Sequence, residues 1–199
     1  MTPDEVVALE AAARADADAG RWDAAATRAI QGYGPELYGY VAALARDPHV
    51  AEDVFATACA RLWRGLPRFG WRSQLRTWAY TIARNTFLSD AGRTRRAREA
   101  PLSATAAAGI AAAIRTGTAS YFGSTAHDAL AAARAALDPD DQTLLILRVD
   151  RRMAWREIAA VLSPADASPE EIGRKSAALR KRLERLKADL KVAIVAYKR

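Results

Sequence analysis

The chain has 199 residues and a mass of 21.5 kDa, enough for one large domain or two small ones, and its 51% apolar and 27% charged composition argues against wholesale disorder. Thirty Lys and Arg stand against 23 Asp and Glu, a net charge of +7 that favours a polyanionic partner, most commonly nucleic acid. One cysteine, Cys59, excludes an intramolecular disulfide and a multi-cysteine metal site, His49 and His127 have no third partner at ligand spacing, and no apolar run approaches the about 18 residues of a membrane span.

The charge is unevenly spread along the chain. Residues 1–20 carry five acids and Arg14, net −4, an acidic N-terminal segment where a signal peptide would be basic. A cytoplasmic protein without membrane insertion, cofactor or metal is expected. Residues 21–98 carry thirteen Arg and six acids, net +7, and form the first predicted domain. Leu37, Val41 and Leu44 recur at helical spacing until Asp47-Pro48 breaks the chain. A second helix is predicted over 50–65, with Val54, Ala58 and Leu62 on one face and Pro67 and Gly70 beyond its end. A third is predicted over 73–92, with Leu75, Trp78, Ile82 and Thr86 on one stripe.

The segment RFGWRSQLRTWAYTIARN at 68–85 interleaves Phe69, Trp71, Trp78 and Tyr80 with Arg68, Arg72, Arg76 and Arg84. Aromatic rings offer stacking surfaces to unpaired bases while arginines follow the phosphates. Trp78, on the apolar stripe, reads first as a packing residue; Trp71 and Arg72, in the polar turn before the helix, read as exposed and functional. Arg93, Arg95, Arg96 and Arg98 form a basic cluster suited to phosphate.

Residues 99–126 carry only Glu99 and Arg115, and their Ala, Gly, Ser and Thr bias predicts a flexible linker, with a marginal Ala-rich helix over 104–114. Residues 127–199, with fifteen bases against eleven acids, form a second helical domain. Asp138-Pro139-Asp140-Asp141 is a helix start with an N-cap carboxylate, Pro at the first position and acids at the positive end of the dipole. The short amphipathic stretch 153–162 follows, then a break, then Ser168-Pro169-Glu170-Glu171 opening a long helix. That helix has Leu179, Leu183, Leu186 and Leu190 on one face and Arg174, Lys175, Ser176, Arg180, Lys181, Arg182 and Arg185 elsewhere. A short helix, a turn and a basic helix make a helix-turn-helix, whose basic member can lie in a major groove.

The run VAEDVFATACARLWRGLPRF at 50–69, followed by SQLRTWAYTIARN at 73–85, resembles the second conserved region of bacterial RNA polymerase sigma factors of the extracytoplasmic-function group. The block LDPDDQTLLILRVDRRMAWREIAAVL at 137–162 resembles the start of that group's fourth conserved region. The resemblance implies an all-α protein of two small domains. The first would bind the polymerase clamp and capture the opened −10 element, and the second would read the −35 element as duplex. Glu52, Asp53, Arg61, Leu62 and Trp63 then fall on the helix used against core RNA polymerase. Ser73, Arg76, Thr77, Trp78, Tyr80, Arg84 and Asn85 match the −10 helix, and Trp155, Glu157, Ile158 and Ala159 match the supporting helix of the promoter-reading unit. Promoter DNA, duplex and single-stranded, and an anti-sigma factor are the further partners implied. The family's Gln-Glu pair is Ala56-Thr57 here, and the turn after Leu162 is longer than usual.

An enzyme is disfavoured, since no phosphate-binding glycine loop and no nucleophile–base spacing occurs, and Glu52-Asp53 and Asp140-Asp141 sit where helix dipoles explain them. A stand-alone helix-turn-helix regulator is the alternative; it leaves the 68–85 segment without a role.

Overall fold

The computed structural model describes residues 1–93, 106–118, 133–134 and 136–197. The chain divides into two compact units, Met1–Ser120 and Tyr121–Arg199. Among the described residues every regular element is helical. In the first unit these are α1 (Pro3–Asp18), α2 (Trp22–Ala45), α3 (Pro48–Gly65), a 3-10 turn at Leu66–Arg68, α4 (Leu75–Arg93) and α5 (Ala106–Thr118). The second has α6 (Pro139–Leu145), a π turn at Ile146–Asp150, α7 (Trp155–Val161) and α8 (Pro169–Tyr197).

Local chemistry sets the helix starts. Thr2 and Glu5 form a reciprocal capping box at α1, with Glu5 N donating to Thr2 Oγ1 (3.2 Å) and Thr2 N to Glu5 Oε2 (2.6 Å). Arg46 ends α2 in the left-handed region (φ 59°), and Asp47 Oδ1 then accepts from His49 N (2.8 Å) and Val50 N (3.3 Å) to open α3. The core of this unit is aromatic. Tyr33, Tyr40, Tyr80 and Phe55 are fully buried, Tyr40 meets Tyr80 edge-on at 5.3 Å between centroids, and Tyr38 meets Phe55 likewise at 5.3 Å.

Two expectations about domain limits are corrected here. Residues 1–20 are no separate acidic segment: α1 packs on α2 through Ala13 and Ala17, and its Asp16 carboxylate pairs with Arg21 (2.8 Å) and Arg28 (2.9 Å). Nor is 106–118 linker. The Ala-rich helix docks on α2 and α3, burying Ala107 and Ala111, and Ile114 fills the space over Gly34, where a Cβ would stand 2.3 Å from Ile114 Cδ1. Small side chains make a poor isolated helix, but they allow this close approach, and tertiary packing overrides the weak propensity. The flanking residues 99–105 and 119–126 lie outside the described residues.

The predicted helix of 73–92 begins two residues later, at Leu75, and its core stripe is rotated from the expected one. Leu75, Ala79, Tyr80, Ala83, Thr86 and Phe87 are buried, whereas Trp78 and Ile82 are half-buried.

In the second unit Asp138 Oδ1 accepts from the amides of Asp140 and Asp141, both at 2.9 Å, to cap α6. Burial alone would raise the Asp138 carboxyl; those amides and Arg182 outweigh it and hold the group below its ordinary value. Leu144, Leu147, Met153, Ile158 and Val161 are buried, as are Leu179, Leu183, Leu186 and Leu190 of α8. Val149 falls in the π turn and is 45% exposed. Ser168 and Glu171 cap α8 reciprocally, with Glu171 N donating to Ser168 Oγ (3.2 Å) and Ser168 N to Glu171 Oε2 (2.7 Å).

Docking of α5 predicts that the amides of Ala111–Ile114 exchange as slowly as those of α2 and α3 in hydrogen-exchange mass spectrometry; exchange at the unstructured rate would place α5 off the domain. A second outcome concerns pH. The hydrogen bonds from Arg21, then Arg28, hold Asp16 below its ordinary carboxyl value, so its stabilising contribution is complete above about pH 4 and is lost as pH falls through the lowered value. The melting temperature of Asp16→Asn should therefore trail the parent at pH 7 and converge with it in strong acid.

Candidate nucleic-acid interface

The turn from Phe69 to Gln74 and the exposed ridge of α4 form the candidate surface of the first unit. Three groups fix the start of α4. Glu10 of α1 takes over the amides that a helix N-terminus leaves open, accepting from Leu75 N and Arg76 N, both at 2.8 Å, and also from the Tyr33 hydroxyl (2.7 Å). Burial, then the hydrogen bond to Glu10, raises the Tyr33 phenol far above its ordinary value. The Arg76 guanidinium makes a two-pronged pair with Glu36 of α2 (2.7 and 2.8 Å). Burial opposes the Arg76 charge, but Glu36 outweighs it and raises the group above its ordinary value.

The turn itself is an aromatic ladder. Trp78 stacks on Phe69 (centroids 4.5 Å, planes 19° apart), Phe69 touches Trp71 (5.0 Å), and the Arg14 guanidinium of α1 lies 4.8 Å from the Trp71 ring centroid. Trp71 is half-buried, with its backbone in the left-handed region (φ 52°), where a bulky residue is held only by its surroundings. Arg72 and Ser73 are exposed beside it. The Ser73 hydroxyl donates to the Gln74 carbonyl (3.3 Å), so the expected helix-start residue leaves the Leu75 and Arg76 amides to Glu10.

Several residues that the resemblance implies for the −10 element are core. Arg76 is 9% exposed and committed to Glu36, Thr77 is 2% exposed, and Tyr80 is fully buried against Tyr40, so none of them can meet DNA without unpacking α4. Trp78 is half-buried and stacked on Phe69, off the core stripe on which it was expected; Arg84 is half-buried and Asn85 exposed. Gln74, Trp78, Thr81, Asn85 and Leu88, spaced four and three residues apart, make the outward ridge, and Gln74 and Thr81 are members the sequence pattern did not single out. The Arg93 side chain, and Arg95, Arg96 and Arg98, lie outside the described residues.

On α3, Asp53 is exposed, and Glu52, Arg61 and Trp63 are half-buried. Arg61 donates to Thr86 Oγ1 (3.1 Å), which ties α3 to α4. Leu62, expected at the polymerase surface, is 2% exposed and belongs to the core. Cys59 is buried.

In the second unit, Arg174, Arg180 and Lys181 are exposed on α8, with Arg185 following on the face away from the leucines. Arg180 lies 5.8 Å from the Trp155 ring, over which Arg148 also sits at 4.8 Å. Three expected DNA residues are otherwise occupied. Ser176 is 5% exposed, and the Lys175 ammonium donates to the Leu162 carbonyl, which ties α8 to the end of α7. Arg182 pairs with Asp141 and with Asp138 (3.1 Å), and the Asp141 hydrogen bond raises it above its ordinary value. Among the described residues no helix is long and apolar enough to cross a membrane.

Breaking the Arg76–Glu36 pair on one side leaves a buried charge, so Arg76→Ala should cost about 3–5 kcal/mol in urea unfolding. An exposed DNA contact would cost almost nothing, and a loss within experimental error would return Arg76 to the surface.

Residues 29–97 match the family described as sigma-70 region 2. No curated protein and no solved structure matches the chain. The match begins inside α2, covers α3, the turn and α4, and leaves α1, α5 and the second unit outside it. Over about a third of its length, then, the chain is similar to sigma-70 region 2.

Proposed function

We propose that the protein is an extracytoplasmic-function type sigma factor. The region 2 match at 29–97 carries this reading. In it, Glu52, Asp53, Arg61 and Trp63 face core RNA polymerase. Trp71, Arg72, Ser73, Trp78, Arg84 and Asn85, with Gln74 and Thr81 beside them, meet the opened −10 strand, and the cluster Arg93, Arg95 and Arg96 follows its phosphates. The helix-turn-helix of α7 and α8 reads the −35 duplex through Arg174, Arg180 and Lys181, with Trp155 and Arg148 backing Arg180. An anti-sigma factor controls its release, and it works in the cytoplasm, where the polymerase is. The stand-alone regulator is favoured only by the second unit and gives the turn at 69–74 nothing to do.

Stacking of one base on an aromatic ring is worth about 1–3 kcal/mol, near the cost of unstacking it, so loss of the ring shifts opening by one or two decades while sparing duplex contacts. With core polymerase, Trp71→Ala should lose permanganate-detected opening at the −10 element and keep a −35 footprint. Arg180→Ala with Lys181→Ala should weaken that footprint and flatten its salt dependence, yet still hold a pre-melted strand. Opening by Trp71→Ala at the parent level would assign base capture elsewhere. Charge reversal at the exposed Asp53 should weaken core binding in a titration with the fold intact; unchanged affinity would remove it from the interface.

A further inference from the structure

The turn proposed to capture the −10 base is held by residues that lie outside the region 2 match. Helix α1 contributes both. Glu10 and Arg14 are four residues apart, hence on one face of α1, and they grip the two ends of the turn. At one end the Glu10 carboxylate receives the Leu75 and Arg76 amides and the Tyr33 hydroxyl, at 2.7–2.8 Å. At the other, the Arg14 guanidinium lies over the Trp71 ring, 4.8 Å from its centroid, while remaining paired with Asp18 (2.8 Å). Between these anchors stand the exposed Arg72 and Ser73, and Trp71 itself keeps a left-handed backbone that a free loop would abandon.

We propose that Glu10, seconded by Arg14, is a positioning residue for base capture: α1 presets the turn so that the Trp71 ring and the exposed Arg72 and Ser73 already stand where the flipped base arrives. The inference rests on the sigma-factor reading of the turn. A loop that must be ordered at the moment of binding loses affinity in proportion to the fraction of time it spends in the competent form, and preorganisation removes that loss. Glu10 suits the task because its two oxygens satisfy consecutive amides at the positive end of α4, fixing the height at which the turn meets the helix. Glutamine at this position offers one acceptor oxygen and turns an amide group toward an N–H donor.

The test uses the full chain assembled with core polymerase on a promoter carrying 2-aminopurine at the captured −10 position. Glu10→Gln, Arg14→Ala and Trp71→Ala are compared singly, and Glu10→Gln is also placed in the Trp71→Ala background. Glu10→Gln is expected to lower the opening equilibrium about tenfold, the scale of one lost helix cap, to blunt the preference among the four bases at that position, and to leave core affinity within about twofold of the parent. In the Trp71→Ala background its effect should vanish, because it acts through the ring's position. Arg14 is exposed, so Arg14→Ala carries the same test, with a smaller loss, should Glu10→Gln fold poorly. Parent-level opening by both α1 variants, with Trp71→Ala defective, overturns the inference and leaves the capture site standing. An equal Glu10→Gln defect with and without Trp71 overturns it too, by making Glu10 act elsewhere. Parent-level opening by all three variants removes the capture site, and the inference with it.

Discussion

One carboxylate, that of Glu10, joins three helices of the first unit. It closes the open amides of α4, takes the hydroxyl of the buried Tyr33 on α2, and rides on α1, so the placement of each helix depends on the others. Arg76 continues the chain of contacts, its amide to Glu10 and its guanidinium to Glu36. Such a network is costly when incomplete and rigid when complete, since low local dielectric strengthens every bond within it. Here it lies directly beneath the turn that bears Trp71 and Arg72, so the rigidity is placed where the unit presents its candidate DNA surface.

The same network divides the arginines of the segment by job. Arg76 is spent on Glu36 inside the fold, while Arg72 is left on the surface. The second unit repeats the division. Arg182 locks α8 to the acids that open α6, and Lys175 locks it to the end of α7, which leaves Arg174, Arg180 and Lys181 outward. A basic composition therefore overstates the charge free for a polyanion in both units.

Much of the fold was legible in the sequence because its signals are local. Asp138-Pro139 and Ser168-Pro169 each announce a helix start that the side-chain hydrogen bonds bear out, whereas Asp47-Pro48, which reads as a break before a helix at 50, is itself the cap and first residue of one. Thr2-Pro3-Asp4-Glu5 carries a capping box as local as these, although an acidic segment over 1–20 does not by itself predict helix α1. What stayed hidden depends on contacts distant in sequence. Glu10 reaches Leu75 across 65 residues, and nothing in either neighbourhood marks the pair. The core stripe of α4 was misplaced for a related reason. Trp78 looks like core by hydropathy, yet it lies on the outward ridge, shielded by Phe69, while the polar-looking Arg76 and Thr77 are buried by partners from other helices. Helix α5 was underrated because alanine supplies little periodic signal, although its smallness is what lets it approach Gly34.

The proposed sigma-factor function makes one demand, that the chain acts with RNA polymerase and not alone. Run-off transcription by purified core polymerase across a genomic promoter pool, with and without the full chain, tests it most directly. Discrete transcripts that appear only when the chain is added, from promoters sharing −10 and −35 elements, are the expected result. Tight binding of a duplex site by the chain alone, with no chain-dependent transcript from any promoter, would contradict the account.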